Sequence, residues 1–525
     1  MIKIATANEM QEIDRVTIKK YGVPGMVLME RAGLAVVSKI NESYSEKKVV
    51  VFCGSGNNGG DGFVIARILH NQGREVELFI ASNPGDLKGD AKMNYNAAKK
   101  YGVKISPINK FKPVSTKPFN RNSLIIDALL GTGLSRDVRS PVSGVINRIN
   151  KLSCPVISVD IPSGVSSDTG QIMGCAVKAR HTITFGLPKR GHLLYPGAEH
   201  SGELFIEDIG FHQKLLQSDK IKVSLIRKQD AVHLLRTRPK YSHKGTYGHV
   251  LLLAGSRGKT GAALMASKAC LRAGAGLVTI GIPETLVDTL QSRVTEEMIL
   301  PLADKGDGTL SFSSADAILE FMNKKGNVLA IGPGLSVDDE ISKLVRLLVL
   351  KSKVPLVIDA DGLNAIAGKT SILKKSRAPV ILTPHTGEMA RLLKRNTEHT
   401  AQSADRRRQS IEEDRIDTAV SFARRTKTCL VLKGVPTVIA GPDGNAFVNS
   451  SGNPGMSTAG AGDVLTGMIS AFLAQKLSPE DASVLAVFVH GHIGDVVAEK
   501  MGQQSLIASD IIKAIPKVFN SLRKQ

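Results

Sequence analysis

The sequence predicts an α/β protein built from two domains. Its 525 residues exceed the usual length of one domain, so two or three are expected. Hydrophobic residues make up 42% and charged residues 22%, which is typical of a globular chain. Short apolar runs alternate with amphipathic segments in both halves, and this alternation indicates parallel sheets covered by helices on both faces.

The first predicted domain covers residues 1–215. Its apolar runs end in small or turn-forming residues and predict strands at VVVFCGSG, VELFI, SLIIDALLG, PVISVDIPSG and HTITFG. Amphipathic segments such as GFVIARILHNQG lie between several of them. The polar residues 216–230 are predicted to be a linker.

The second predicted domain covers residues 231–525. It repeats the pattern, with strands predicted at GTYGHVLLLAGS, GLVTIGIP, NVLAIGPGL, VPLVIDADGLN, PVILTPH, CLVLKG and TVIAG. Open α/β sheets bind ligands beyond the carboxyl ends of their strands. The polar residues that directly follow each run are therefore the candidate site residues.

Three strand ends of the first domain carry candidate residues. The first strand is followed by GSGNNGGDG, a glycine-rich turn that could cradle a phosphate or ribose, which its two Asn and one Asp favour over the alternative of a plain tight turn. Asp127 ends a later strand before a second glycine loop, and Asp160 and Ser163 follow the next. Asn58 and Asp127 could hold a cation, and Asp160 could act as a general acid or base. Each aspartate alone could also be a helix cap.

The most informative loop of the second domain is NPGMSTAGAGDVLTG, residues 453–467. Glycines 460 and 462 precede Asp463 and an apolar helix, so main-chain N–H groups there form an anion site. A carboxylate at that position is suited to take a proton from a hydroxyl that receives a phosphoryl group. An ordinary capped helix is the alternative for this loop taken alone.

Other strand ends of the second domain add polar groups. LLLAGSRGKTGAA lacks the ending of an ordinary P-loop, which excludes that motif. His385 follows a proline on a loop predicted to face the crevice, and Lys433 at a strand end could pair with nucleotide phosphates. A surface role for Lys433 is the alternative.

The charge and cysteine content narrow the function further. The net charge of +21 suits a polyanionic small molecule, while scattered basic residues, no Trp and 4% aromatics argue against nucleic-acid binding. Five widely spaced cysteines without a CxxC pair predict buried thiols in a reducing cytoplasm. No apolar run reaches about 18 residues, so no membrane segment is expected.

The motifs resemble a known family in both halves. MQEIDR, LMERAG, GNNGGDG, DALLGTGLSRDV and SVDIPSG resemble epimerases of hydrated NADH and NADPH, called NAD(P)HX. HKGTYGHVLLLAGS, TGAALMASKACLRAGAGLVT, GPGL, DADGLN, LTPHTGEM, LKGVPT and NPGMSTAGAGDVLTG resemble ADP/ATP-dependent NAD(P)HX dehydratases. The resemblance covers nearly the whole chain, apart from the linker and the segment around residues 394–417.

The resemblance implies a Rossmann-like three-layer sandwich followed by a ribokinase-like α/β domain. It implies repair of hydrated cofactors: the first domain interconverts R and S epimers, and the second dehydrates the S epimer with ADP or ATP, in the presence of Mg²⁺. Asp463 would deprotonate the C6 hydroxyl, and the N–H groups of residues 459–462 would stabilise the transferring phosphoryl group. Homo-oligomers are also expected.

The resemblance further implies particular binding residues. The hydrated dinucleotide would contact the first domain at Asn57, Asn58, Gly59, Gly60, Asp61, Gly131, Thr132, Gly133, Leu134, Ser135, Arg136, Asp137 and Asp160. K⁺ would be held by Asn58, Asp127 and Ser163. In the second domain the substrate would contact Ala254, Gly334, His385 and Asp463, and the nucleotide Lys433, Gly434, Val435, Pro436, Thr437 and Gly462. Asp160 is the predicted acid–base residue of the epimerase.

Two alternatives stay open. The second half could be a kinase of a small hydroxyl substrate, since such kinases share the fold and the GAGD loop. The first half could be a dinucleotide-binding module without turnover.

Overall fold

The computed structural model describes residues 1–111, 123–394 and 401–523. The chain divides into two compact units, Ile2–Lys222 and Val223–Gln525. The boundary lies inside the segment predicted as a linker. Residues Val223–Leu225 of that segment form a strand that pairs in parallel with Ala446–Val448 of the second unit. Residues 395–400 and 524–525, which belong to the second predicted domain, lie outside the described residues.

The first unit has a parallel sheet between layers of helices. The strands of this sheet are β2 (Lys48–Cys53), β3 (Glu75–Ile80), β4 (Lys104–Pro107), β5 (Ser123–Ala128), β6 (Val156–Val159), β7 (His181–Phe185) and β8 (Glu203–Glu207), and the short strand β1 (Ile2–Lys3) lies outside it. Its helices are α1 (Ala7–Lys19), α2 (Gly25–Ser43), α3 (Asn57–Asn71), α4 (Gly89–Lys100), α5 (Val142–Ile149), α6 (Gly197–Ser201) and α7 (Gln213–Leu216).

The strand order of this sheet is β4-β3-β2-β5-β6-β7-β8, and the neighbouring pairs are parallel. Alternate residues of β2 belong to different cores, because Val49 and Val51 pack into one apolar cluster while Val50 and Phe52 pack into another. Both faces of the sheet are therefore buried, as a three-layer sandwich requires. The order reverses between β2 and β5, and the carboxyl ends of these two strands border a crevice.

The second unit contains a larger, mixed sheet. Its strands are β9 (Val223–Leu225), β10 (His249–Leu253), β11 (Leu277–Pro283), β12 (Met298–Leu302), β13 (Val328–Ile331), β14 (Leu356–Ile358), β15 (Val380–Leu382), β16 (Cys429–Leu432), β17 (Val438–Ala440) and β18 (Ala446–Val448). Its helices are α8 (Lys228–Leu234), α9 (Thr260–Arg272), α10 (Val287–Gln291), α11 (Ala315–Lys324), α12 (Asp339–Lys351), α13 (Ala360–Ile366), α14 (Thr386–Leu392), α15 (Ala401–Glu413), α16 (Arg415–Thr426), α17 (Ala461–Ala474), α18 (Pro479–Met501) and α19 (Ala508–Arg523).

Its strand order is β9-β18-β17-β16-β15-β14-β13-β10-β11-β12. The strands from β16 through β10 to β12 are parallel, whereas β17 is antiparallel to both of its neighbours. The order reverses between β10 and β13, which places the segments after these two strands at the crevice. The α/β class and the two-unit organisation predicted from the sequence are confirmed.

Helix α18 is long and apolar enough to cross a membrane by length and composition, but 72% of its apolar window is buried inside the protein. Its side chains Val484, Leu485 and Val489 belong to the core of the second unit. Cys53, Cys270 and Cys429 are buried thiols, and burial raises the pKa of each. Buried thiols agree with the sequence analysis.

Candidate active sites of the two units

A cavity of about 780 Å³ lies at the crevice of the first unit. Most of the predicted dinucleotide-binding residues line it: Asn57, Asn58, Asp61, Gly131, Thr132, Gly133, Leu134, Ser135, Arg136 and Asp160. Gly59, Gly60 and Asp137 are not among its lining residues. Gly59 has a packing role instead, since a Cβ there would lie 2.1 Å from the carbonyl oxygen of Gly54. The glycine lets the first turn of α3 approach the end of β2.

The three predicted K⁺ ligands meet beside this cavity. Asp127 is fully buried, and its carboxylate accepts hydrogen bonds from Ser158 Oγ at 2.9 Å, Ser163 N at 2.9 Å and Ser163 Oγ at 2.5 Å. The carbonyl oxygen of Leu130 accepts from both Asn58 Nδ2 at 3.0 Å and Ser163 Oγ at 3.2 Å. Asn58 Oδ1 is buried without a hydrogen bond from any described residue. An orphaned amide oxygen next to a carboxylate and a hydroxyl is a donor set that fits a cation.

Asp160 occupies a strained position after β6. Its φ of +64° is unusual for a residue with a side chain, and such strain concentrates at functional sites. Asp160 Oδ1 accepts from Lys189 Nζ at 2.5 Å and from Thr184 Oγ1 at 2.9 Å. Burial raises the pKa of this carboxyl, but the Lys189 ammonium, together with the neighbouring His192 and Thr184, outweighs burial and holds the pKa below its usual value. Asp160 is therefore an ionised carboxylate.

Lys189 is almost fully buried and follows strand β7. Its ammonium also donates to Thr184 Oγ1 at 2.7 Å and to the Phe185 carbonyl oxygen at 3.4 Å. Behind it, burial lowers the pKa of His192 to about 3, so the ring is neutral. The ring accepts from Lys189 N and donates to the Asp160 carbonyl oxygen. These contacts fix Asp160 and Lys189 as one unit.

Sequence reasoning missed three charged residues of this cavity, Lys189, Asp14 and Asp90. Lys189 follows a predicted strand in the stretch GLPKRG, so the search of strand ends would have found it had it included HTITFG. Asp14 lies on α1 within MQEIDR, a motif that contributes to the family resemblance but does not follow a predicted strand.

In the second unit, Asp463 lies in the first turn of α17, whose N-cap is Gly460. Its carboxylate receives no hydrogen bond from the described part of the chain, and burial raises its pKa to about 7, reinforced by Asp359 and opposed by Lys433. A carboxyl that titrates near neutrality suits general-base catalysis. Its location beside free N–H groups of a helix start is where an anion would bind.

Lys433 and Asp359 form a buried ion pair next to Asp463. Lys433 Nζ lies 2.8 Å from Asp359 Oδ1, and Thr466 Oγ1 donates to Asp359 Oδ2 at 2.7 Å. Burial lowers the pKa of Lys433, but the surrounding carboxylates outweigh burial and the net shift is upward. Lys433 is a fixed cation, and its side chain is 19% exposed.

His385 and Glu388 begin helix α14 after β15. The His385 Nδ1 accepts from Gly387 N at 3.0 Å, and Glu388 Oε2 accepts from His385 N at 2.8 Å. Burial is the first cause of the lowered pKa of His385, so the imidazole is neutral near pH 7. Glu388 Oε2 lies 3.9 Å from Lys433 Nζ, which links the helix to the ion pair.

The remaining predicted residues lie on three loops, apart from Gly462, which lies in the first turn of α17. Ala254 follows β10 and is fully buried, and Gly334 follows β13, where its carbonyl oxygen accepts from Ser256 Oγ at 2.8 Å. The predicted nucleotide loop, residues 433–437, follows β16. Thr437 Oγ1 donates to the Gly434 carbonyl oxygen at 3.1 Å and folds the loop on itself.

Arg415, which the sequence analysis did not single out, supports this nucleotide loop. Its guanidinium is almost fully buried and donates to the carbonyl oxygens of Lys433 at 2.9 Å and Pro436 at 3.3 Å. It also contacts Glu412 Oε2 at 2.5 Å. Gly434 has a φ of +152°, and a Cβ there would lie 2.2 Å from the guanidinium, so this position needs glycine.

Comparisons with known proteins match both units. Residues 250–517 match the family model described as NAD(P)H-hydrate dehydratase, and residues 25–191 match the one described as YjeF-related protein N-terminus. The bifunctional NAD(P)H-hydrate repair enzyme of Moorella thermoacetica is 40% identical, with 99% of this chain and 97% of the relative covered. Those of Thermofilum pendens, at 41% over 100% and 97%, and Escherichia coli, at 34% over 98% and 93%, are also similar.

A solved structure resembles the second unit. The ADP/ATP-dependent NAD(P)H-hydrate dehydratase from Bacillus subtilis, co-crystallized with ATP/Mg²⁺, aligns with a TM-score of 0.50 and 31% identity. It covers 57% of this chain and 99% of that chain.

Proposed function

The chain belongs to the bifunctional NAD(P)H-hydrate repair enzymes, and we propose a division of their two activities between its units. The unit Ile2–Lys222 epimerises R- and S-NAD(P)HX, and the unit Val223–Gln525 dehydrates the S epimer with ADP as the phosphoryl donor and ATP as the alternative. The observation that carries the second activity is Asp463, a carboxyl with a pKa of about 7 at the start of a helix preceded by a glycine loop.

Dehydration begins with phosphorylation of the C6 hydroxyl. Asp463 takes the hydroxyl proton while the oxygen attacks the terminal phosphorus, and the bond to the leaving nucleotide breaks, which gives AMP from ADP or ADP from ATP. The N–H groups around Gly460 and Gly462 stabilise the charge on the transferring group. Phosphate then leaves C6 as the ring nitrogen donates its electron pair, and loss of a proton from C5 restores NAD(P)H.

Lys433 supplies a positive charge at a fixed place in this step. Its ion pair with Asp359 and its proximity to Glu388 hold the ammonium at the start of the nucleotide loop. The nucleotide binds along residues 433–437 and Gly462, and the substrate binds against Ala254, Gly334 and His385. These assignments rest on the placement of those residues around one strand-end crevice.

Mg²⁺ fits the second site only as a partner of nucleotide phosphates. Among the described residues, no group of three or more His, Cys, Asp or Glu side chains is placed to hold a metal ion. Mg²⁺ is commonly held by one or two carboxylates together with phosphates and water, and Glu388, whose Oε2 lies 3.9 Å from Lys433 Nζ, is a buried carboxylate at this site. The ion would neutralise phosphate charge when bound.

The epimerase site would use K⁺ to hold its strand-end loops. Asn58, Asp127 and Ser163 supply the amide, carboxylate and hydroxyl oxygens, and the orphaned Asn58 Oδ1 supports this assignment. Replacing K⁺ with Na⁺ should slow epimerisation in the wild type but not in Asn58→Ala, whose rate should be low in either salt. Equal rates of the wild-type chain in both salts would contradict a K⁺ site.

The first test of the function is a repair assay on a mixture of R- and S-NADHX with Mg²⁺ and ADP, then ATP. Complete recovery of NADH with stoichiometric phosphate release is expected. Recovery that stops at the S fraction would make the first unit a binding module. A stable phosphate ester in place of NADH would identify a small-molecule kinase.

Two further proposals, on the oligomeric state and on the location in the cell, can be tested separately. We expect a homo-oligomer, which light scattering of the full chain would detect. We expect a cytoplasmic protein, and fractionation of the source cells would place it with soluble cytoplasmic enzymes rather than with membranes or nucleic acid.

A further inference from the structure

Asp14 lines the cavity of the first unit, and the proposed function gives it no role. It lies on α1, faces the cavity and is half-buried. Its carboxylate makes no hydrogen bond to any residue within the described ranges. Burial raises its pKa to about 6, with Lys189 opposing and Asp160 reinforcing the shift. This carboxyl can therefore change its protonation state near neutral pH.

The other ionisable groups around the cavity are less suited to carry a proton. Asp160 is fixed as a carboxylate by Lys189, whose three N–H bonds are used by Asp160, Thr184 and Phe185. Asp61 is buried more deeply, and burial together with Asp160 raises its pKa well above the usual value, which favours the neutral form of its carboxyl.

Groups on the remaining elements do not change this conclusion. Asp127 is fully buried, accepts hydrogen bonds from Ser158 and Ser163, and is not among the residues that line the cavity. Asp90 on α4 and Arg136 on the loop after β5 also line the cavity. Neither of them belongs to the cluster of Asp14, Asp61, Asp160 and Lys189, whose charges shift one another.

We propose that Asp14 is the catalytic residue that carries the proton during epimerisation, an inference that rests on the proposed function of the first unit. The Asp14 carboxylate removes the proton from the C6 hydroxyl. The C6–N1 bond breaks with its electron pair going to N1, C6 becomes an aldehyde carbon, and Asp14 delivers the proton to N1. Rotation about C5–C6 turns the aldehyde over, and the reverse steps close the ring as the other epimer.

This route assigns different tasks to Asp14 and Asp160. Asp160 Oδ1 is occupied by Lys189 and Thr184, which leaves Oδ2 to accept a hydrogen bond from the substrate. Asp160 then contributes to binding, and Asp14 contributes to the chemical step. The sequence-based prediction of Asp160 as the acid–base residue is the competing assignment.

The test compares Asp14→Asn with the wild-type chain in epimerisation of R-NADHX. We expect kcat to fall by about 100-fold or more, the usual contribution of a general acid–base group, with KM changed little. The wild-type rate should rise with pH around the Asp14 pKa of about 6, and this rise should be absent in the variant. Asp14→Glu, which restores a carboxylate one methylene further out, should recover part of the loss.

Two controls separate chemistry from folding. Glu12→Gln removes a carboxylate from the exposed face of the same helix and should epimerise at the wild-type rate. Dehydration of pure S-NADHX by the Asp14→Asn chain should be unchanged, because that activity belongs to the second unit. Asp160→Asn should raise KM more than it lowers kcat.

Three results would overturn the assignment of Asp14. They are wild-type kcat in Asp14→Asn, a loss confined to KM, and a pH profile that the substitution leaves intact. Failure of the wild-type chain to epimerise at all would instead overturn the proposed function of the first unit.

Discussion

The two sites place lysine, threonine and aspartate side chains in a similar arrangement, although they lie on different sheets. In the first unit, Lys189 and a threonine hold Asp160, and Asp14 lies nearby with a pKa of about 6. In the second unit, Lys433 and Thr466 hold Asp359, and Asp463 lies nearby with a pKa of about 7. Each site thus has one carboxylate fixed by a lysine and a threonine, and another carboxyl without such partners.

The difference between the two sites lies in what surrounds the unpartnered carboxyl. Asp463 lies beside the glycine loop and free N–H groups of α17, which suit a phosphoryl group. Asp14 lies in the middle of an ordinary helix, without an anion site of its own. A carboxyl that accepts a proton can therefore support phosphoryl transfer in one unit and epimerisation in the other. The difference is whether backbone N–H groups that bind a phosphoryl group lie beside it.

The largest effect is expected for Asp463→Asn. Removing the base should lower dehydration of S-NADHX by about 100-fold or more while epimerisation proceeds at the wild-type rate. Steady-state assays of both activities on one preparation would measure this. Full dehydration by this variant would show that the unpartnered carboxyl of the second site has no catalytic role, and the two sites would then not share their proton chemistry.

Removing the lysine of each ion pair tests whether Lys433 and Lys189 stabilise their units to the same extent. Lys433→Met leaves Asp359 buried without its cation, and Lys189→Met does the same to Asp160, so each unit should lose about 3–5 kcal/mol of unfolding free energy. Denaturant melts followed by the activity of each unit would show the loss. A second change, Asp359→Asn, should recover stability in the Lys433→Met chain.

A smaller effect is expected at Arg415, which has no counterpart in the first site. Arg415→Lys keeps the charge but loses the fork of hydrogen bonds to the nucleotide loop, so KM for ADP should rise about tenfold while kcat and KM for S-NADHX change little. The exposed Arg425, on the same helix, gives the control variant Arg425→Met. An unchanged KM for ADP in Arg415→Lys would show that the loop keeps its shape without the guanidinium.

The smallest expected effect is a difference between the pH profiles of dehydration and epimerisation. Both carboxyls act as bases, and the pKa of each is raised, so each rate is low when the group is protonated and rises as the pH passes the pKa. The kcat/KM of dehydration should rise around pH 7 and that of epimerisation around pH 6. Coincident midpoints would mean that one of the two carboxyls is not the group that titrates.

The central strands of both sheets were predictable from sequence, and several edge strands were not. β2, β5, β10 and β14 are continuous apolar runs because helices cover both faces of the sheet. β4 reads KISP and β8 reads ELFIE, and both lie at sheet edges with partly exposed side chains. Their mixed composition carries no clear strand signal, so only the tertiary pairing defines them.

The candidate site residues divide in a similar way. Asp127, Asp160 and Asp463 follow apolar runs or glycine loops, so local sequence marks them. Asp14 and Arg415 lie on helices and reach their sites only through packing of distant segments. Lys189 forms its ion pair with Asp160, 29 positions away in the sequence, and the sequence around either residue does not reveal this pairing.

The occupied ammonium of Lys189 has a consequence for stereochemistry. Its three N–H bonds are held by the protein, so the charge cannot follow the hydroxyl as it moves from one face of the ring to the other. A charge that does not move interacts differently with a hydroxyl on one face of the ring than with a hydroxyl on the other, because the two positions lie at different distances from it. The two epimers should therefore bind to the cavity with different affinities, which binding of R- and S-NADHX to the Asp14→Asn chain would measure.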